Sequence, residues 1–136
     1  MNIGITGTRE GMTEYQAHKV YEFLESAKQL ASDLEFHHGD CLGVDVEAAA
    51  IARALGYRIV CHPPLDNHLR GYADYDVIYN PQGYLARDRM IVNSVDLLLV
   101  VPLHTEWQSR GGTWYTHDYA VKVTCPLHII WPKETP

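Results

Sequence analysis

Long apolar runs are missing from this 136-residue chain. The longest, LLLVV at 97–101, is far shorter than the roughly 20 residues that a membrane-spanning helix needs. The first residues also lack the charged and then apolar segments of a secretory signal. We therefore expect a cytoplasmic protein that neither crosses a membrane nor is exported, and the length predicts one domain over residues 1–136 rather than two.

Cysteine is scarce as well. Cys41, Cys61 and Cys125 are odd in number and form no CxxC pair, a pattern that argues against a disulfide framework and against a zinc site. The tract HHGDC at 37–41 offers metal-binding side chains, but consecutive residues of a strand point to opposite faces of its sheet. We therefore expect reduced thiols, no bound metal and no resident cofactor.

Basic residues are outnumbered, because 11 Lys and Arg stand against 17 Asp and Glu, giving a net charge of −6 with histidine neutral. Such a chain repels a nucleic-acid backbone at long range, so broad, non-specific DNA binding is not expected. Four arginines nevertheless fall in or beside predicted loops and helix starts, where ligands are usually bound. They are Arg9, Arg87, Arg89 and Arg110.

Apolar strands alternate with helices along the chain. The first helix has Thr13 as a predicted N-cap with Gln16 three residues later, the spacing of a capping box, and Gly56 is placed to end the second helix. This alternation predicts a Rossmann-like, doubly wound α/β sheet of about five parallel strands with helices on both faces. The strands are predicted at 2–6, 34–38, 57–61, 95–101 and 127–131, and the later helices at 44–55, at 85–94 and from 113.

The segment 62–84 has neither a helical nor a strand period and contains four tyrosines. A loop of this length inside a small domain is usually functional when it is not disordered. One interpretation is a lid whose rings stack on a bound base, and the other is a cover whose rings pack over the sheet edge. The tyrosines concerned are Tyr72, Tyr75, Tyr79 and Tyr84.

Glycine-containing turns follow three of the predicted strands: GTR at 7–9, GDCLGVD at 39–45 and RGGT at 110–113. Ligands of doubly wound sheets bind at the carboxyl ends of the strands, where these turns are expected. Glycine lets a backbone approach a phosphate closely, helix N-termini supply free N–H groups, and arginine binds phosphate with two parallel hydrogen bonds. Each turn alone is weak support, but their common location predicts an anion site.

These segments resemble the SLOG superfamily of Rossmann-like nucleotide-binding domains, which includes the Smf/DNA-processing proteins and the "lonely guy" cytokinin-activating phosphoribohydrolases. The resemblance covers about residues 2–132 and is carried by GITGTR, GDCLGVD, ARDRMIV and RGGT. It implies a single domain whose site takes a nucleotide or a phosphosugar. The residues implied, together with two arginines placed by the charge pattern, are Gly7, Thr8, Arg9, Gly39, Asp40, Gly43, Asp45, Arg87, Arg89, Arg110, Gly111, Gly112 and Thr113.

The related enzymes differ from this chain at one position. The phosphoribohydrolases, and the nucleoside deoxyribosyltransferases that have a similar segment, place a glutamate three residues after the threonine of their GT pair. Thr116 occupies that position here, and a neutral hydroxyl cannot serve as a carboxylate nucleophile. Asp118 lies roughly 200° further round the helix and is expected to face elsewhere. Glu106 and Asp40 are the other candidate catalytic carboxylates.

We therefore expect a protein that binds a nucleotide or nucleotide-derived signal as a sensor, carrier or sequestering protein, and the resemblance also admits a viral protein that removes a host signal. One alternative is a phosphoribohydrolase or deoxyribosyltransferase that cleaves an N-glycosidic bond. A second is Smf-like binding of single-stranded DNA, which the net charge of −6 disfavours. The apolar helix at 44–55 is a candidate subunit interface, so a homodimer or higher oligomer is also predicted.

Overall fold

The computed structural model describes residues 1–134. It contains one six-stranded sheet in which every neighbouring pair of strands is parallel. The strand order is β4-β3-β2-β1-β5-β6, so the predicted doubly wound α/β sheet is confirmed, with one strand more than expected. The strands are β1 (Asn2–Gly7), β2 (Glu35–His38), β3 (Arg58–Cys61), β4 (Val77–Ile78), β5 (Leu97–Val101) and β6 (Leu127–Ile129).

Helices cover both faces of this sheet. Alternate residues of β5 divide between two apolar layers: Leu99 and Val101 pack with α1 and α2, whereas Leu98 and Val100 pack with α3 and α4. This alternation is what a strand buried on both faces requires. The helices are α1 (Glu14–Leu30), α2 (Val44–Ala54), α3 (Tyr84–Ser94) and α4 (Gly112–Lys122). Within residues 1–134, none of them has the length and apolar character that a bilayer crossing demands.

The predicted capping box at the start of α1 is confirmed. The Thr13 hydroxyl accepts a hydrogen bond from the Gln16 N–H at 3.1 Å, and Gln16 Oε1 accepts one from the Thr13 N–H at 3.0 Å. Gln16 Nε2 also donates to the carbonyls of Pro102 and Ile130, at 2.9 and 3.0 Å. One buried side chain therefore joins the start of α1 to the chain that leaves β5 and β6.

The segment 62–84 contributes the additional strand. Asp76 pairs with Ile59, because its backbone N–H donates to the Ile59 carbonyl and its carboxylate accepts from the Ile59 N–H at 2.8 Å. The next residue begins β4, which adds to the sheet edge beside β3. A two-residue strand has no alternating pattern to read, so only its pairing with β3 reveals it.

The apolar face of α2 is used within the chain. Val44, Ala48, Ala49 and Ala52 are buried in the core formed with α1 and the sheet. Small side chains at these positions let the helix lie close to the strands. The expected use of this face between subunits is therefore wrong, because the same residues already pack inside one chain.

Candidate ligand-binding cleft

A cleft of about 1240 Å³ opens at the carboxyl ends of β1 and β5. These two strands are neighbours, but the chain continues from β1 towards β2 on one side and from β5 towards β6 on the other. The connections therefore diverge at this point and leave a crevice, which is where doubly wound sheets bind ligands. The turn after β1, the loop after β5 and residues of α3 and α4 line it.

The first turn of α4 forms one edge of the cleft. Gly111 has a φ of +101°, a Cβ added to it would meet nothing within 4 Å, and one added to Gly112 would meet only Asp88 Oδ2, at 3.8 Å. The first helical hydrogen bond runs from Tyr115 N–H to the Gly111 carbonyl, and no side chain caps the helix. Over residues 1–134, the N–H groups of Gly112 and Thr113 thus have no acceptor, which leaves them available to an anion.

The other predicted glycines are explained by packing inside the protein. A Cβ on Gly7 would lie 2.5 Å from Val44 Cγ1, and one on Gly39 would lie 2.6 Å from Arg87 Nη1. Gly43 has a φ of +87°, and its Cβ would lie 2.5 Å from the backbone of Arg9. These three glycines make room for neighbouring protein groups, so among the five predicted glycines the pair at 111–112 is the one that leaves space for a ligand.

Basic and hydroxyl groups surround the open helix start. Arg9 and Arg110 are exposed on the rim of the cleft, and neither forms an ion pair with any residue of 1–134. Lys122, which the sequence patterns did not single out, lines the same cleft. The Thr8 hydroxyl accepts from the Glu10 N–H at 3.1 Å, which leaves its own hydrogen available to donate. We call this exposed region, Arg9, Arg110 and Gly111–Thr113, the rim.

Arg87 lies at the floor of the cleft and is only 5% exposed. Its Nε donates to Asp88 Oδ1 at 2.8 Å, and its Nη1 donates to the Gly39 carbonyl and, at 3.3 Å, to the His62 carbonyl. Its Nη2 lies 3.5 Å from Cys41 Sγ. The guanidinium is therefore held by protein groups and carries its charge without being free to clamp a phosphate.

Two buried carboxyl groups accompany this arginine. Asp45 Oδ2 accepts from the backbone N–H of Gly39 at 2.9 Å and of Cys41 at 3.4 Å, and burial raises the pKa of Asp45 to about 6 against the opposing effect of Arg87. Burial likewise raises the pKa of Asp88, again opposed by Arg87. The sequence analysis did not identify Asp88 as a site residue. Its position between two arginines is the only feature of the sequence that points to it. Asp45, Arg87 and Asp88 form what we call the floor.

Three predicted ligand residues lie outside the cleft lining: Gly43, Asp40 and Arg89. Asp40 is fully buried, with Oδ2 accepting from Arg70 Nε at 2.8 Å and Oδ1 accepting from the Ala73 N–H at 2.9 Å. It fastens the segment 62–84 to the end of β2, so both of its oxygens are occupied. Arg89 turns towards α4, where its Nη1 donates to the Tyr115 hydroxyl at 2.7 Å.

The candidate catalytic positions are scattered. Glu106 is exposed and lies outside the lining, whereas Asp118 lines the cleft, contrary to its expected orientation. Asp118 accepts from Trp107 Nε1 at 3.1 Å and contacts His117 Nδ1 at 2.8 Å, both near the surface. Thr116 is fully buried and its hydroxyl donates to the Gly112 carbonyl at 2.7 Å, so that position faces the protein interior.

Three buried histidines lie behind the floor. His37 Nδ1 is 2.8 Å from His62 Nε2, and His38 Nδ1 accepts from the Asp40 N–H at 2.9 Å. Burial lowers the pKa of all three, to about 4 for His38 and about 3 for His62. The side chains of the HHGDC tract therefore turn to different neighbours, with Cys41 directed to Arg87, rather than converging on one point.

The four tyrosines of the segment 62–84 have different environments. Tyr84 lines the cleft. Tyr79 packs edge-on against His62 with ring centroids 4.6 Å apart, and Tyr72 lies under the Arg70 guanidinium at 4.5 Å. Tyr75 is 48% exposed and lies outside the lining.

Solved structures of known proteins share this architecture. The molybdenum cofactor binding protein from the phototrophic bacterium Rippkaea orientalis matches with a TM-score of 0.70 and 21% identity, over 97% of this chain and 77% of that chain. The molybdenum cofactor carrier protein from Chlamydomonas reinhardtii matches with a TM-score of 0.65 and 22% identity, over 94% and 74%. DNA processing protein A from Streptococcus pneumoniae matches with a TM-score of 0.68 and 18% identity, over 94% of this chain and 49% of that chain.

The chain shares the Rossmann-like fold of these proteins. The predicted resemblance is thus confirmed at the level of architecture. No family model matches the sequence, and no curated protein does.

Proposed function

We propose that this protein binds a nucleotide or a nucleotide-derived signalling molecule, with the phosphate at the first turn of α4. In this arrangement the N–H groups of Gly112 and Thr113 hold the phosphate oxygens, and Arg9 and Arg110 supply positive charge from the rim. The protein then acts as a sensor, carrier or sequestering protein for that molecule. The formation of a homodimer stays a prediction.

The observation that carries the proposal is the open space at Gly111 and Gly112. Both glycines leave room above an uncapped helix start, and both line the cleft. A helix N-terminus with unpaired N–H groups attracts anions, because its partial positive charge adds to the hydrogen bonds. The strand-end location of the cleft supports the same assignment.

Thr116 supports a protein that binds its ligand without converting it chemically. The residue at the enzymes' glutamate position is here a buried threonine bonded to its own helix. The position that supplies the nucleophilic glutamate of the enzymes therefore presents no carboxylate to the cleft here.

A thermal-shift screen tests the proposal, with mono-, di- and cyclic nucleotides and inorganic phosphate as probes. Molybdenum cofactor belongs in the same panel, because two proteins of similar fold bind it. A ligand that binds only the folded state raises the melting temperature by mass action. Native mass spectrometry of the freshly purified protein then identifies any small molecule carried through purification.

Two matched glycine variants test whether a nucleotide that raises the melting temperature binds at the start of α4. Gly112→Val places a branched side chain in the open space of the cleft, and Gly83→Val does the same at the start of α3, where a Cβ also meets nothing within 4 Å but which lies outside the lining. We expect Gly112→Val to abolish the nucleotide shift and Gly83→Val to retain it. Equal shifts in both variants would show that the α4 site is wrong.

A second candidate function is cleavage of an N-glycosidic bond. The observation that favours it is Asp88, whose Oδ2 lies beside Gly112 at the edge of the cleft, close to where the related enzymes present a carboxylate. Incubation with nucleoside monophosphates, followed by chromatography for free base and ribose 5-phosphate, distinguishes the two functions. We expect no release; release that Asp88→Asn abolishes would favour the enzyme.

A further inference from the structure

The floor of the cleft carries more negative than positive charge. Asp45 and Asp88 are 6% and 7% exposed, and Arg87 is the one guanidinium among them. Arg87 hydrogen-bonds Asp88 but no oxygen of Asp45. A phosphate at the floor would meet two carboxyl groups and a guanidinium already engaged, so the floor does not suit the same ligand group as the rim.

Each floor carboxyl group has one oxygen without a protein partner. Asp45 uses Oδ2 for the turn at Gly39 and Cys41, and Asp88 uses Oδ1 for Arg87. Within residues 1–134, no further hydrogen bond reaches Asp45, and the one other hydroxyl close to Asp88, that of Thr116, donates to the Gly112 carbonyl instead. Both Asp45 and Asp88 line the cleft. Neither residue has an oxygen sealed from the cleft, so each carboxyl group can accept a hydrogen bond from a donor that enters it.

We propose that Asp45 and Asp88 form a second subsite that accepts a pair of hydrogen-bond donors from the ligand. The proposal rests on the proposed function and deepens it, because it assigns the ligand two chemically different ends. The phosphate lies at the rim, and the floor takes paired O–H or N–H donors. A ribose cis-diol and the amino and ring N–H edge of a guanine-like base are two sources of such donors.

Asparagine variants test this subsite without removing the structural hydrogen bonds. Asp45→Asn keeps an oxygen for the turn at Gly39 and presents an amide N–H₂ to the cleft, and Asp88→Asn keeps an oxygen for Arg87 in the same way. Asp66→Asn is the matched control, because Asp66 also lines the cleft but is exposed. Thermal melts verify that each variant is folded.

Isothermal titration at pH 7.5 then compares GMP, 2′-deoxy-GMP, IMP and the unphosphorylated nucleoside guanosine. We expect GMP to bind about tenfold or more weakly to Asp45→Asn and to Asp88→Asn, since each loses a charged hydrogen bond, and within about twofold of wild type to Asp66→Asn. If the diol is the donor pair, wild type discriminates against 2′-deoxy-GMP by a similar factor and the Asn variants do not. If the base edge is the donor pair, wild type discriminates against IMP instead.

The outcomes separate the subsite from the proposed function. If Gly112→Val abolishes GMP binding while both floor variants bind every probe as wild type does, the phosphate site stands and the donor subsite is overturned. If guanosine binds as tightly as GMP and is lost in the floor variants, the subsite stands and the phosphate rim is wrong. If wild type binds none of these probes, both the phosphate site and the donor subsite are overturned as nucleotide-binding sites.

Discussion

The rim and the floor of the cleft are built from similar residue types but are organised in opposite ways. At the floor, Gly39 lets the Arg87 guanidinium lie across the end of β2, and that guanidinium is held by a carboxylate and two carbonyls. At the rim, Gly111 and Gly112 face open space, and Arg110 has no ion-pair partner within residues 1–134. A glycine or arginine after a strand can therefore serve either the fold or a ligand, and only its neighbours show which.

The largest expected effect is on stability, from removing the floor arginine. Arg87→Ala leaves Asp88 buried without its partner, and loss of one member of a buried ion pair costs about 3 to 5 kcal/mol. Arg110→Ala removes an exposed charge and should change the free energy of unfolding by about 0.5 kcal/mol or less. Urea denaturation of both variants measures the contrast. Equal losses of stability would mean that floor and rim do not differ as described.

A pair of glycine substitutions sharpens the same contrast. Gly43→Ala forces a residue with a φ of +87° to carry a Cβ 2.5 Å from the backbone of Arg9, which combines backbone strain with a clash and should cost roughly 3 kcal/mol. Gly112→Ala adds a Cβ whose nearest neighbour is 3.8 Å away, so stability should change by about 0.5 kcal/mol or less. Thermal and urea denaturation check both values, and a stable Gly43→Ala protein would contradict the packing role.

Stability should fall as the pH falls from 7 to 5. The folded state keeps His37, His38 and His62 neutral because burial lowers their pKa values. The unfolded chain binds those protons below about pH 6.5, so the stability contributed by the neutral histidines is present above that pH and is lost below it. Asp45 opposes the trend, because its pKa is raised to about 6 and its folded form gains a proton as the pH falls.

Urea midpoints at pH 7, 6 and 5 measure this dependence. We expect the wild type to lose about 2 kcal/mol over that range. Asp45→Asn should lose more, because the opposing group is gone. A profile that is flat or rises towards pH 5, or one that Asp45→Asn leaves unchanged, would show that these buried groups do not set the pH dependence.

The smallest expected effect concerns the aromatic rings near the cleft. Tyr84 lines the cleft and Tyr75 does not, so Tyr84→Ala should weaken nucleotide binding by about tenfold if its ring stacks on a base. Tyr75→Ala, an exposed tyrosine of the same segment, should bind as wild type does. Titration of both variants with one nucleotide makes the comparison, and equal affinities would leave the segment with a packing role only.

Local signals were sufficient for much of the fold and for little of the site. The capping box at Thr13 and Gln16 was predictable because its partners are three residues apart. β4 was not, since two residues show no period and their partner strand lies elsewhere in the chain. A glycine is needed at position 39 because the guanidinium of Arg87, 48 residues away in the chain, lies against it. Asp88 could not be placed either, because its role depends on how α3 packs against α4.

The most direct test of the central claim is a two-dimensional amide NMR titration of the ¹⁵N-labelled protein with inorganic phosphate and with 5′-AMP. If a phosphate binds at the open start of α4, the backbone N–H signals of Gly112 and Thr113 move progressively with ligand concentration. The N–H signals at the start of α3, such as those of Tyr84 and Leu85, serve as the comparison for phosphate alone and should stay in place. Shifts that leave Gly112 and Thr113 unchanged, while other residues respond to both probes, would contradict the account.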